Sequence, residues 1–287
     1  MITIFTIPKP FRGNINIIQR NAIQSWLKLS PKCEVILFGN DEGVGEAAKE
    51  FGILHIAEIE KSELGTPLLS SAINLAQKLA RNEILLYLNA DIILTSDLIP
   101  AIHKVKSPNF LISGQRWDIG INKEIDFDNP NWEDKLKEKI KKTGKLHGPT
   151  GMDYCLFPRN LPEILQMPAF VVGRPGWDNW LIYRVRFLKI PMIDATKVIT
   201  VIHQNHDYSH SKYGNLKKGK VIGPETQKNL KLAGGFFYMC SLRDADWVLT
   251  NDGLKRPPYP RRIFAKLTLF YSWRLILGIK RKIQSLL

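Results

Sequence analysis

"EILLYLNADIIL", residues 83–94, decides the fold. The run from Glu83 to Leu88 has strand length and is apolar on both alternating faces, the pattern of a strand covered by helices on each side. It halts at Asn89-Ala90-Asp91, and apolar residues resume at Ile92. A carboxylate where the pattern asks for core has two readings. It caps the turn that follows the strand, or it belongs to a site.

Outward from this stretch the chain alternates between the two periodicities. Residues 2–7 (ITIFTI), 33–39 (CEVILFG) and 53–59 (ILHIAEI) read as strands. Between them, residues 14–29 carry Ile15, Ile18, Ala22, Trp26 and Leu29 at helical spacing, with Pro31 as a stop. Residues 43–52 form a short helix with Gly52 in the position that follows a helix end. Thr66-Pro67 reads as an N-cap followed by proline at the first helical position, opening a helix over 68–80. Later strands are expected at 110–117, 154–159 and 198–206, and residues 132–147 read as a charged helix or surface loop. Alternation of this kind predicts an α/β fold with a mixed, mainly parallel Rossmann-like sheet flanked by helices. Ligands of such sheets sit beyond the carboxyl ends of the strands. Asn89-Ala90-Asp91 falls at that place.

The 287 residues are 44% hydrophobic, enough for a sizeable core. Cys33, Cys155 and Cys240 form an odd set with no CxxC pair, which points to a reducing, cytoplasmic compartment. The start, MITIFTIPKPF, lacks the charged and apolar regions of a secretory leader and reads as the first strand. The formal charge is +14, and nine of those charges lie between Lys255 and Leu287, where there is no Asp or Glu. The body is therefore only mildly basic, which argues against nucleic acid as its partner. No P-loop and no GxGxxG occurs, which argues against ATPases and dehydrogenases. A boundary is expected at KRPPYPRR, dividing residues 1–255, a single domain, from a basic aromatic tail over 256–287. The apolar core of that tail spans about 13 residues, fewer than the roughly 20 that cross a bilayer. Residues 261–287 fit an amphipathic segment lying peripherally on an anionic inner membrane face; the rival reading is a helix packed on the domain or a partner.

The stretch YLNADIIL resembles the metal-binding DxD element of GT-A glycosyltransferases, and QRNAIQSWLKLSPKCEVILFG is similar to the same nucleotide-diphospho-sugar transferase group. The resemblance covers roughly residues 1–210. It implies a GT-A fold and transfer of a hexosyl or other glycosyl group from a UDP- or GDP-sugar to an acceptor hydroxyl. It also implies Mn²⁺ or Mg²⁺, an inverting course, and a glycan or lipid-linked acceptor in polysaccharide synthesis. Asp91 would hold the cation against the donor diphosphate, where negative charge develops as the nucleotide leaves. The first acidic position of the element is here Asn89, whose amide oxygen can ligate or bind ribose. VIHQNHDYSH (201–210) is similar to the segment that supplies a late histidine ligand, His206 first and His203 second. Strand alternation sets these two on opposite faces, and either could be a hydrogen-bonded loop histidine.

In GRPGWDNWLIYRV (173–185), Asp178 and Asn179 stand at a helix start, where a carboxylate stabilises amide donors. The resemblance gives Asp178 a second reading, the base that removes the acceptor proton. Trp177 offers an aromatic face to a sugar ring, and Asn179 goes with it as an acceptor-side residue. Asp153, before a strand, binds donor sugar or acceptor, or is a turn residue. Arg116 pairs with phosphate or with Asp118. Thr6, Pro8 and Asp41 correspond to nucleoside-contacting positions, Thr66 to a segment near the nucleotide, and Ala90 to the middle of the DxD-like element. The rivals are a nucleotidyltransferase of the same fold and a non-catalytic sugar-nucleotide or nucleic-acid binder.

Overall fold

The computed structural model describes residues 1–206, 214–215, 220–221, 223–235, 240–259, 261 and 263. In chain order the first half runs β1 (Ile2–Thr6), α1 (Gly13–Leu27), β2 (Glu34–Phe38), α2 (Val44–Phe51), β3 (Leu54–Ile56), α3 (Leu69–Leu79), β4 (Ile84–Leu88), β5 (Ile92–Leu94) and α4 (Leu98–Ile102). Then come β6 (Leu111–Ser113), β7 (Trp117–Ile119), α5 (Trp132–Thr143), β8 (Lys145–Leu146), β9 (Tyr154–Pro158), α6 (Leu161–Leu165) and α7 (Trp177–Phe187). The chain continues with β10 (Met192–Asp194), β11 (Val201–Gln204), β12 (Gly214–Asn215), β13 (Lys220–Val221), α8 (Pro224–Leu232), β14 (Trp247–Thr250) and β15 (Gly253–Lys255).

Among the described residues the main sheet has nine strands in the order β15-β14-β10-β6-β9-β4-β1-β2-β3. β1 pairs in parallel with both β2 and β4, whereas β9 runs antiparallel between β4 and β6. The chain builds β2 and β3 on one side of β1, then crosses back to place β4 on the other. That reversal opens a crevice between the carboxyl ends of β1 and β4, where Pro8-Lys9 and Asn89–Asp91 emerge. A second sheet, β5-β11-β7-β8, stands beside this rim.

Strand alternation explains both covering layers. Phe5, Ile36, Phe38, Leu85 and Tyr87 face α3 and α7 in one apolar cluster. Ile4, Val35, Leu37, Leu86 and Leu88 face α1 and α4 in another. Burying one side chain of this size stabilises by about 1.5–3 kcal/mol, so the two-sided sheet anchors the rim firmly. Gly52 closes α2 in the left-handed conformation at φ 62°, as its position requires.

Several expectations are corrected. The strand expected over 110–117 is two strands in different sheets, β6 and β7. The chain breaks at Gly114, where a Cβ would stand 2.6 Å from the Tyr154 hydroxyl and 2.8 Å from the Thr196 nitrogen. Thr66-Pro67 does not cap α3. Pro67 and Leu68 are drawn into β-bridges with Lys61 and Val171, and Leu68 takes the N-cap place with no side-chain bond. The strand expected over 53–59 shrinks to Leu54–Ile56 at the sheet edge. β11 ends at Gln204, so strand alternation no longer governs His206.

Of the proposed tail, residues 264–287 lie outside the described residues, and so does the membrane-surface reading. Two residues assigned to its start touch the body: Arg256 lies over the Trp247 ring at 3.7 Å, and Arg261 Nη2 reaches Asp194 at 3.0 Å. Among the described residues no helix is long and apolar enough to cross a membrane.

Candidate active site

A cleft of about 680 Å³ lies over the carboxyl ends of β1, β2 and β4. Its walls bring together Pro8, Asp41, Thr66, Asn89, Ala90, Asp91, Arg116, Asp153, Trp177, Asp178, His203 and His206. Twelve positions singled out from the sequence, scattered over two hundred residues, thus share one cavity.

Two others do not line it. Thr6 is fully buried and donates its hydroxyl hydrogen to the Leu88 carbonyl at 2.6 Å, tying β1 to β4. Asn179 donates to the carbonyls of Thr150 and Cys240 at 3.1 and 2.8 Å, so its amide serves the helix surroundings. Thr66 lines the wall, yet its hydroxyl donates to Glu225 at 3.0 Å rather than capping α3.

Asp91 Oδ2 stands 3.0 Å from His206 Nε2 and 3.9 Å from His203 Nε2. The ligand atoms of Asp91, His203 and His206 all lie within 4.8 Å of one another. Alternation had set the histidines on opposite faces; the strand ends between them, and both rings turn to Asp91. His206 is placed there by Gln204, whose backbone and side-chain amides both donate to the Asp91 carbonyl. His210, the third histidine of the segment, lies outside the described residues.

Asp91 is buried, and its Oδ1 has no partner. Burial alone would raise its carboxyl, but the Lys9 ammonium, the His206 hydrogen bond and His203 outweigh burial and hold it well below the usual carboxylate range. One ionised carboxylate with a sealed, unpartnered oxygen, beside two imidazoles, is a donor set that fits a divalent cation such as Mn²⁺. Asp118 supports it. Its Oδ1 lies 3.1 Å from His203 Nδ1, and its Oδ2 lies 2.9 Å from His147 Nδ1. The His203 contact has that distance without hydrogen-bond alignment, while the ring's Nε2 faces Asp91.

Asn89 takes a different part from a metal ligand. Its Nδ2 donates to Asp153 Oδ1 at 2.8 Å, and Arg116 pairs with the other Asp153 oxygen while also binding Asp118 at 2.8 Å. Both readings of Arg116 are therefore compatible: it is paired with carboxylates, and it faces the cleft.

Asp178 sits in the first turn of α7, where Trp177 packs edge-on against Tyr87 at 5.5 Å. Oδ2 accepts from the Met152 N–H at 3.2 Å, while Oδ1 is enclosed without a partner. Burial raises the group to about 6, against the opposing backbone N–H bonds and with help from the nearby Asp153 charge.

Lys9, His147 and Arg174 also line the cleft, and none of them lies in a recognisable motif. Lys9 follows the first strand, in PKPFRG. Arg174 pairs with the buried Glu225 at 2.8 Å, and Glu225 also accepts from Ser62 and Thr66, fastening α8 to the wall.

No protein-family model and no curated protein matches the sequence. Solved structures do match. TarS residues 1–349 from S. aureus, in complex with UDP-GlcNAc, aligns with a TM-score of 0.51 at 12% identity, covering 81% of this chain and 64% of that one. This chain thus spans just under two thirds of that TarS structure. Mannosyltransferase PcManGT from Pyrobaculum calidifontis, in complex with GDP-Man and Mn²⁺, aligns at 0.46 and 14% identity, over 80% of this chain and 68% of that one. Glucosyl-3-phosphoglycerate synthase from Mycobacterium tuberculosis, with Mg²⁺ and UDP, aligns at 0.45 and 12% identity, over 82% and 80%. The chain has the GT-A fold of the nucleotide-diphospho-sugar transferases.

Proposed function

We propose that the protein is a glycosyltransferase that moves a sugar from a nucleoside-diphosphate donor to an acceptor hydroxyl. One observation carries the reading: a candidate metal seat and a carboxylate of raised affinity for protons occupy one cleft at the sheet's switch point. Asp91, His203 and His206 would hold the cation, which when bound supplies positive charge for the departing nucleoside diphosphate. Pro8 and Asp41 line the wall over β1 and β2, where the base would lie, and Trp177 lines the wall beside Asp178.

Asp178 is the base in this reading. A carboxyl group with a pKa of about 6 is mostly ionised at neutral pH, yet takes a proton more readily than an ordinary carboxylate. A base standing opposite the leaving group would direct attack to the far face of the anomeric carbon and invert it. The acceptor in this reading is a growing glycan or lipid-linked saccharide.

Incubation with UDP- and GDP-sugars, Mn²⁺ and mixed saccharide acceptors tests the reading. The expected outcome is release of the nucleoside diphosphate with one glycosidic product. Binding of every donor with no hydrolysis or transfer across the panel would leave a non-catalytic sugar-nucleotide binder.

A further inference from the structure

Pro8-Lys9-Pro10 leaves β1 with a ring on either side of the lysine, so both neighbours have a fixed φ. The buried Gln19 side chain then grips Lys9 by both backbone groups. The Lys9 N–H donates to Gln19 Oε1 at 2.7 Å, and Gln19 Nε2 donates to the Lys9 carbonyl at 2.8 Å. A side-chain amide used as a strand partner fixes this one Cα, and the ammonium it carries enters the cleft. Nζ stands 3.5 Å from Asp91 Oδ2 and 3.2 Å from His206 Nε2. Those are the two atoms that face each other at 3.0 Å in the candidate metal seat.

An ammonium at this place and a divalent cation bonded to the same two atoms would stand within a few ångströms, like charges with no anion between them. Their repulsion in a partly desolvated cleft is many times thermal energy. The diphosphate of a donor is the anion that relieves it. We propose that Lys9 is the resident counter-ion of Asp91, and that it leaves the carboxylate for the diphosphate when nucleotide arrives, so that metal and nucleotide enter together. The lysine stem is free to make this move, because the clamp holds backbone only and the side chain is 32% exposed on the cleft side, against 9% for Asp91. The inference rests on the reading of Asp91, His203 and His206 as a metal seat, and adds to it an order of events.

The test is Mn²⁺ binding to the full chain, read from the electron paramagnetic resonance signal of free Mn²⁺, with and without UDP or GDP. Wild type should bind Mn²⁺ weakly alone and at least tenfold more tightly with one of the nucleotides. Lys9→Met should bind Mn²⁺ alone at least tenfold more tightly than wild type, with the gain from nucleotide reduced to less than threefold. Lys9→Arg, which keeps the charge, should stay weak without nucleotide. The Gln19 clamp uses only the backbone of residue 9, so the variants should melt as wild type does; should Lys9→Met fail to fold, Lys9→Gln takes its place. Equal affinity of Lys9→Met and wild type for Mn²⁺ alone, within twofold, overturns the counter-ion while leaving the seat intact. No Mn²⁺ bound by any form, with or without nucleotide, removes the seat and the inference with it.

Discussion

Asp91 ends a strand among Lys9, His203 and His206; Asp178 opens a helix with backbone N–H groups and a second carboxylate for company. Both line one cleft, and each has an enclosed oxygen without a partner. Yet the Lys9 ammonium and the two imidazole contacts hold the first group far below its usual range, while burial lifts the second to about 6. Two carboxylates driven apart by their surroundings are two carboxylates fitted for different work. The first is permanently charged and suited to a cation. The second can exchange a proton near neutrality.

Removing the charged member should have the largest effect. Asp91→Ala is expected to abolish Mn²⁺ binding and to reduce kcat/KM by roughly 10⁴-fold, since several kcal/mol of charge stabilisation at the leaving group would go with it. Calorimetric titration with Mn²⁺ plus UDP or GDP checks the binding half. If metal binding persists undiminished, the two carboxylates are not divided as argued.

Asp178→Asn should cost about 10³-fold in transfer, in the range of a positioned base, with donor affinity nearly unchanged. The same assignment sets the pH profile. In wild type, kcat/KM should fall about tenfold per unit below pH 6 as Asp178 takes up its proton, and level off above about pH 7. A profile flat from pH 5 to 8 would assign the proton to another group.

The stability of the same variant bears on the comparison without any substrate. The Asp178 pKa is higher in the folded chain than in the unfolded one, so the protonated form is favoured by folding. The stabilisation is complete below about pH 4 and is lost as pH rises towards 6. Asp178→Asn has no charge to bury. It should therefore be more stable than wild type above pH 6, by about 1–2 kcal/mol, reduced from the roughly 3 kcal/mol that the rise from 3.8 to about 6 corresponds to, because the amide keeps only part of the backbone bonding. The difference should close below pH 4. Urea unfolding at pH 4 and pH 8 measures both ends.

How far the sequence reached follows the same division. The strand-helix alternation of the first hundred residues and the break at Asn89-Ala90-Asp91 were legible, because period-2 and period-3.6 patterns depend on local sequence alone. The GT-A resemblance implied separate roles for Asp91 and Asp178, and both line the one cleft. What pairs with them was not legible. Lys9 reaches Asp91 across 82 residues and Glu225 reaches Thr66 across 159, and neither contact leaves a periodic trace. The antiparallel β9 was read as a strand, but its direction is set by neighbours at Tyr87 and Ile112, not by its own residues. β14 and β15 were missed, although Asn251-Asp252-Gly253 between apolar segments is a hairpin signal. The placement of His203 and His206 on opposite faces failed for another reason, although both were singled out as ligands: alternation was carried two residues past the end of the strand.

The smallest effect concerns Asn89, where the DxD-like element has lost its first acid. A degenerate ligand there would gain from being restored to aspartate. Asn89 Nδ2 instead donates to Asp153 Oδ1 at 2.8 Å, and Tyr87 donates to Asn89 Oδ1 at 3.4 Å. Asn89→Asp would replace the donor to Asp153 with a second anion at hydrogen-bonding range, and Arg116, already shared between Asp153 and Asp118, can offset only part of that repulsion. The variant should lose about 1 kcal/mol of stability, which lowers Tm by roughly 2–4 °C in a chain of this size, and its Mn²⁺ affinity should not improve. Tighter Mn²⁺ binding at an unchanged Tm would place residue 89 beside Asp91 in the charged half of the cleft, rather than with Asp153 where its amide now points.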